Sequence, residues 1–284
     1  MNILFVCSGN TCRSPMAEGY FNSKHIKKVS ATSAGFIRDG DKVSQNAVSV
    51  MKEIGIDISL HTSKIISAGD TTLADRIFCM GEAHKSALIN AGVPSDKVSV
   101  LSGGIPDPYG GNTETYRSCR DKIIKAVDSL VYDGEILPYK VLSAVESDAK
   151  NIEELEKECF SLPWSIDGII QSMRHNTVFF KAVSGEKNVG YISVTAVAGE
   201  GYINNIAVSY NYRGKGIGSV LLDRAITFSR SKKLEFLSLE VRKSNSPAIS
   251  LYKKAGFNEE GIRKNFYDNP KEDAIIMTRR FKSC

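Results

Sequence analysis

Cys7-Ser8-Gly9-Asn10-Thr11-Cys12-Arg13-Ser14 directly follows the apolar run Asn2-Ile3-Leu4-Phe5-Val6. A cysteine that only fills a core needs neither a glycine loop nor an arginine behind it. A thiolate that attacks a phosphoryl group needs both. The backbone N–H groups of Ser8, Gly9, Asn10, Thr11 and Cys12 can turn inward as an anion nest. A helix opening at Ser14-Pro15 adds its partial positive charge. Gly9 is expected to supply a positive φ. Arg13 offers planar, bidentate donors to a phosphoryl group. The same field lowers the Cys7 thiol pKa, so that thiolate dominates at neutral pH, and Ser14 is placed to donate to that sulfur. In-line attack of sulfur on phosphorus then gives a phosphocysteine intermediate. The leaving group needs a proton. Ile105-Pro106-Asp107-Pro108-Tyr109-Gly110-Gly111 supplies Asp107 as general acid, then as base on water. Tyr109 is expected to wall the substrate. Cys12 is either the partner of Cys7 in a reversible protective disulfide or a small loop-packing residue.

A second constellation lies far downstream. Arg213-Gly214-Lys215-Gly216-Ile217-Gly218-Ser219 stands between a strand-like and a helix-like segment, where backbone N–H groups at a helix start can cradle a pyrophosphate. No Gly-Lys-Ser/Thr closes it, so it is not a Walker loop. The surrounding strands do not form strand-helix-strand units, so it is not a dinucleotide fingerprint.

These residues need elements to position them. Residues 1–133 alternate strand-like segments (2–6, 29–36, 74–80, 97–103) with helix-like ones (13–23, 44–56, 81–92, 113–131). That alternation implies a doubly wound, four-stranded parallel sheet with helices on both faces, and ligands bind beyond the carboxyl ends of such strands. Cys7 stands at one of those ends. Residues 132–138 are turn-rich, and 134–138 are read as a linker. From 139 to 284 the pattern is mixed α+β. A strand (139–145) and a helix (146–160) precede closely spaced strands with glycine turns (177–185, 188–199, 201–209), a spacing that suggests antiparallel pairing. The glycine loop and its helix (212–233), a strand (236–242), a helix (246–256) and a last strand (272–281) follow.

The chain has 284 residues, 42% apolar and 24% charged, with a net charge of +5. These are globular values for one large or two ordinary domains. The modest excess of positive charge does not indicate a nucleic-acid partner. No apolar run approaches the length of a membrane span, and no signal peptide is expected, so the protein is read as cytoplasmic with no membrane partner. The six cysteines and four histidines show no Cys-x-x-Cys pair, and no metal site is expected.

Cys7-x5-Arg13-Ser14 near the start, joined to Asp107-Pro108-Tyr109 late in the first half, resembles the low-molecular-weight protein tyrosine phosphatase family over residues 1–133. Ser33-Ala34-Gly35 and the stretch 73–80 are similar to it as well. Thr11 stands where tyrosine-specific members carry an apolar residue, and Gly110-Gly111 follow Asp107-Pro108-Tyr109 where those members carry a second aromatic. Both features are similar to the protein-arginine phosphatase branch, which favours phosphoarginine over phosphotyrosine on a phosphorylated protein substrate. Arsenate reductases share the fold but relay oxidation through two further nearby cysteines, and Cys79 and Cys119 are far apart in the sequence.

The Gly214–Ser219 loop resembles the pyrophosphate loop of GNAT acyltransferases, which bind acetyl-CoA, over residues 139–284. The stretches 159–165, 204–209, 239–257 and 272–277 are similar to ribosomal-protein alanine N-acetyltransferases. The resemblance implies that Ile206, Ala207 and Val208 pair by backbone with the pantetheine arm. Gly214, Lys215, Gly216, Ile217, Gly218 and Ser219 would hold the pyrophosphate, and Asn245 would also touch the cofactor. It implies Glu240 as general base and Tyr252 as the acid that protonates the CoA thiolate. The expected whole is a bifunctional enzyme, a cysteine-dependent protein phosphatase fused to an N-terminal alanine acetyltransferase whose acceptor is a protein such as a ribosomal protein. The alternatives are a phosphotyrosine phosphatase fused to an acetyltransferase for lysine or small amines, or a pair in which one domain only binds.

Overall fold

A computed structural model of the chain describes residues 1–281. The chain divides by compactness after Leu130.

The first unit is built on a four-stranded parallel sheet in the order β2-β1-β3-β4, formed by β1 (Asn2–Cys7), β2 (Ser30–Gly35), β3 (Arg76–Cys79) and β4 (Val98–Val100). After Asn2 every residue of β1 is buried, as a central parallel strand covered on both faces requires. On one face Phe5 meets Phe21 and Phe78 at centroid separations of 6.1 Å. On the other, Leu4, Val6, Ile77 and Val98 pack around Leu88. The helices are α1 (Arg13–Asn22), α2 (Gln45–Glu53), α3 (Ala68–Leu73), α4 (Glu82–Asn90) and α5 (Thr113–Tyr132). The register pairs Cys7 with Gly35 and Val6 with Cys79, so the strands end together and the loops after β1, β2 and β4 rise from one edge.

The second unit is a seven-stranded mixed sheet in the order β10-β11-β9-β8-β7-β6-β5. Its strands are β5 (Lys140–Ser143), β6 (Thr177–Ser184), β7 (Lys187–Val197), β8 (Glu200–Val208), β9 (Phe236–Arg242), β10 (Asn258–Asp268) and β11 (Lys271–Arg280). Its helices are α6 (Ala149–Cys159), α7 (Ile166–Arg174), α8 (Ile217–Ser231) and α9 (Ser246–Lys254). Pairing is antiparallel except between β8 and β9, which run parallel and pair only at Glu200, Gly201 and Tyr202. Beyond Tyr202 the two central strands part.

The sequence does not lead one to expect α3, α7 or β10. Every residue of α3 escapes burial, so it carries no apolar stripe, whereas the short α7 does carry one, Ile166, Ile169, Ile170 and Met173 at helical spacing, which packs on the core of the second unit. β10 is an edge strand of mostly exposed, charged residues, the composition that protects an edge and hides it from pattern reading. Among the described residues no helix is long and apolar enough to cross a membrane, and none of their His, Cys, Asp and Glu side chains cluster as a metal site.

Candidate active sites

The loop after β1 wraps around the Cys7 sulfur. Cys7 is 2% exposed, its Sγ lies 3.0 Å from Ser14 Oγ, and it accepts from the Asn10 N–H at 3.2 Å. Asn10 takes the left-handed conformation, φ 51°, and Gly9 does not, which corrects the expectation placed on Gly9. The reason is the Asn10 amide. Its Nδ2 donates to Ser14 Oγ at 2.9 Å and to Ser33 Oγ at 2.8 Å. Its Oδ1 accepts from the Lys64 N–H at 2.9 Å and lies 3.2 Å from His61 Nε2. Asparagine tolerates this conformation when its side chain is so engaged. The glycine the loop does require is Gly35. A Cβ there would stand 2.8 Å from both Asn10 N and Ser8 O, so the nucleophile loop packs directly onto the end of β2.

Arg13 is 6% exposed and opens α1. One terminal nitrogen donates to the Ile105 carbonyl at 3.1 Å. The other contacts Ser8 Oγ at 3.4 Å and pairs with the Asp107 carboxylate. Asp107 thus reaches the loop from beyond β4. The Arg13 Nε is buried and has no hydrogen-bond partner among the described residues. Such an orphaned donor is costly unless an acceptor arrives, and a phosphoryl oxygen would satisfy it.

Cys12 turns its thiol to the Tyr116 hydroxyl at 3.3 Å, and Ser44 Oγ donates to the same hydroxyl at 3.1 Å. Burial, then the Cys12 contact, pushes Tyr116 up to about 12. Cys7 and Cys12 are both free thiols. Thr11 is nearly buried, with its hydroxyl 3.7 Å from Cys12 Sγ. Tyr109 is 67% exposed and tethered at the rim, where its hydroxyl accepts from Arg38 at 3.4 Å. Cys79 and Cys119 are buried, and burial pushes both thiols up to about 12, the reverse of what a redox relay needs. Ser33 lies in the Ser33-Ala34-Gly35 stretch noted above, whereas His61 and Lys64 reach this site through Asn10, and Arg38 through Tyr109, without having been singled out in the sequence. Their only signal is spatial and appears once Asn10 is seen to be left-handed.

The second site uses backbone bonds that are left unmade. Ile206, Ala207 and Val208 pair with β7 on one side and, among the described residues, have no strand on the other, because β9 has parted from β8. The Val208 carbonyl accepts from Arg213 Nε at 2.9 Å. The loop then turns through Gly214 (φ 78°) and Gly216 (φ 89°) into α8. Gly216 is the N-cap and provides no side-chain cap. Among the described residues the N–H groups of 214–218 find no acceptor, whereas the Ser219 N–H is spent on the Gly216 carbonyl at 3.0 Å. Lys215 stacks on Tyr212 at 4.8 Å. An open strand edge, free donors at a helix start and a nearby ammonium fit the amide arm and pyrophosphate of a CoA thioester.

Glu240 stands in the half of β9 that has left β8, and its carboxylate pairs with Arg263 at 3.3 Å. Arg242 on the same strand pairs instead with Glu272 at 3.3 Å. Tyr252 on α9 is 5% exposed and packs on Phe257. Burial pushes its hydroxyl pKa up, which keeps it a proton donor. Asn245 caps α9, accepting from the Ala248 N–H at 3.2 Å. Glu156, which sequence reasoning missed, is fully buried. It accepts from Asn205 Nδ2 at 2.7 Å, from the Trp164 N–H at 2.8 Å and from the Tyr191 hydroxyl. It thereby ties α6 to β7 and β8 beneath the parting strands. In a helix this rich in glutamate it reads as one more surface acid.

Known proteins divide along the same line as the two sites. Residues 2–142 match the family described as low molecular weight phosphotyrosine protein phosphatase, and residues 149–257 match the acetyltransferase (GNAT) family. The protein-arginine-phosphatase of Geobacillus stearothermophilus is 37% identical over 138 residues, which are 45% of this chain and 92% of that protein. The ribosomal protein bS18-alanine N-acetyltransferase of Haemophilus influenzae is 34% identical over 141 residues, 48% of this chain and 96% of that protein. Its Escherichia coli K12 counterpart is 33% identical over 139 residues, 48% and 94% of the respective chains. With nearly whole relatives matched in each half, this chain belongs to the low-molecular-weight phosphatase family through its first half and to the GNAT acetyltransferase family through its second, a fusion that makes one bifunctional enzyme.

Proposed function

We propose that the first half hydrolyses phosphoarginine on proteins. Cys7 is the nucleophile, Arg13 and the N–H groups of Ser8 to Ser14 hold the phosphoryl group, and Asp107 is the acid and then the base. The orphaned Arg13 Nε carries this reading, since it is a buried donor at the end of the Cys7 loop with no acceptor of its own among the described residues. The hydrogen bonds from Ser14 and Asn10 support sulfur as attacking and leaving group. On attack the S–P bond forms as the P–N bond breaks, and the departing guanidine takes the Asp107 proton. Water activated by Asp107 then breaks the S–P bond and releases phosphate and thiolate. The Asp107–Arg13 pair must open for this, so substrate replaces the carboxylate on the guanidinium. Thr11 supports the arginine preference by placing a hydroxyl where an apolar wall would favour a phenyl ring. Phosphate release should be measured from matched phosphoarginine and phosphotyrosine peptides, with Cys7→Ser as blank. Faster release from phosphoarginine is expected, and preference for phosphotyrosine would assign this half to general tyrosine phosphatase activity.

The second half, in the same reading, acetylates the N-terminal α-amine of a protein, with an alanine terminus on a ribosomal protein as the first acceptor to test. Acetyl-CoA supplies the acyl group when bound. Glu240 accepts the amine proton, directly or through water, and Tyr252 protects the departing thiolate by protonation. The unpaired edge at 206–208 and the free N–H groups of 214–218 support the cofactor placement. Domains of 1–133 and 139–284 with 134–138 between them, acting in the cytoplasm, complete the proposal. Mass spectrometry of an alanine-terminal peptide against the same peptide with a blocked terminus and a free lysine separates α-amine from lysine transfer. Modification of the blocked peptide at an equal rate would overturn the α-amine assignment.

A further inference from the structure

Ser8 is held from two directions at the rim of the nucleophile loop. Its carbonyl accepts from the Phe36 N–H at 2.7 Å and the Ile37 N–H at 3.2 Å. Its Oγ lies 2.9 Å from His84 Nε2 and 3.4 Å from the Arg13 nitrogen that also pairs with Asp107. His84, in the first turn of α4, stacks on Phe36 with centroids 5.8 Å apart and planes 8° from parallel. Its Nδ1 is buried and has no hydrogen-bond partner among the described residues. Burial, and then the Arg13 charge, lowers the His84 pKa, while Asp107 opposes that shift; the imidazole is therefore neutral at neutral pH and carries one proton. A buried N–H without an acceptor costs more than a bare ring lone pair, so the unpartnered Nδ1 is the unprotonated nitrogen and Nε2 bears the proton.

That assignment decides what the Ser8 hydroxyl does. Its oxygen has two lone pairs and one proton. His84 Nε2–H occupies one lone pair and Arg13 the other, so the proton points away from both. We propose that His84 is a positioning residue of the phosphatase reaction, donating to Ser8 Oγ so that the Ser8 hydroxyl holds Arg13 in place and presents its proton to the phosphoryl group. The proposal rests on the reading of Cys7, Arg13 and Asp107 as a phosphatase site. It adds a donor to the cradle that comes from a side chain, and it extends the machinery to α4.

A double-mutant cycle in the full chain tests it. The variants are Ser8→Ala, His84→Ala, the double variant and His84→Gln, assayed for kcat/KM with p-nitrophenyl phosphate and with phosphoarginine. Each alanine variant is expected to lose about 10- to 100-fold, the worth of one hydrogen bond to a charged group. The double variant should be no worse than either, and His84→Gln, which keeps a donor of similar reach, should recover most of the rate. Equal losses for His84→Ala with and without the Ser8 hydroxyl would overturn the proposal and leave His84 as packing against Phe36. So would an unchanged rate in Ser8→Ala, a variant that does not disturb the stack. Absence of any Cys7-dependent turnover in the unmodified chain would instead remove the underlying phosphatase reading.

Discussion

Asn10 and Gly216 both hold left-handed backbone, at φ 51° and 89°, but the loops around them are secured by different means. The Asn10 loop is saturated. Its side chain is bonded to Ser14, Ser33, Lys64 and His61, and Gly35 lets it rest on the end of β2. The Gly216 loop is bare, for its cap has no side chain and the N–H groups of 214–218 have no acceptor. In the proposed reading the first is a finished pocket for a small dianion, and the second an unfinished ladder and helix end for a long, amide-bearing cofactor. Side-chain deletions should therefore dominate damage to the first, and changes in backbone freedom should matter most for cofactor binding at the second.

Cys7→Ser should show the largest effect, a loss of about 10,000-fold or more in phosphate release with acetyl transfer unchanged in the same preparation. A matching fall in acetyl transfer would mean the two sites are not independent. Asp107→Asn should lower phosphatase kcat about 100- to 1,000-fold, less so for p-nitrophenyl phosphate, whose leaving group needs little protonation. Equal losses on both substrates would move Asp107 from acid to structural partner of Arg13. Glu240→Gln should slow acetyl transfer about 100-fold at saturating amine while leaving acetyl-CoA affinity unchanged by calorimetry. Gly216→Val, where φ 89° strains any Cβ, should weaken acetyl-CoA binding about 10-fold and spare phosphate release. Unchanged affinity there would break the contrast drawn between the loops.

The smallest expected effect concerns acid. The Arg117 guanidinium, joined by Arg120, holds the Glu53 carboxyl down at about 2, below its ordinary value near 4.3. A depressed carboxyl stabilises the fold fully above its unfolded pKa and loses that contribution as pH falls from about 5 towards 2. Solvent screening keeps it to about 1 kcal/mol or less. Glu53→Gln should lower the thermal midpoint of the first unit slightly at pH 7 and leave it unchanged near pH 2. A deficit that persists at pH 2 would trace to packing and not to charge.

How much of this was legible in the sequence follows from how each residue acts. Strand-helix alternation and the apolar β1 announced the parallel sheet, and the Cys7-to-Arg13 spacing announced the anion loop, because those signals are local. Asn10, Ser33 and His61 act through contacts that no spacing encodes. The positive φ was expected at Gly9 because glycine is its usual carrier, and an asparagine with a fully bonded amide displaced it. Glu156 illustrates the same limit. Its burial depends on Tyr191 and Asn205 arriving from distant strands, and its own helix disguises it among acids. The parting of β8 from β9 has no signature in either strand, since it consists of pairing that stops after Tyr202.

That parting bears on the lifetime of the protein as well as on its chemistry. Residues 203–207 are covered by β7 on one side and, among the described residues, by no strand on the other, the kind of edge that invites a stray strand from another chain. A ligand that zips onto this edge shields it, and by mass action it stabilises the folded state by about 2.7 kcal/mol when present at 100 times its dissociation constant. An acetyl donor bound there, as proposed, would steady the fold around its own site.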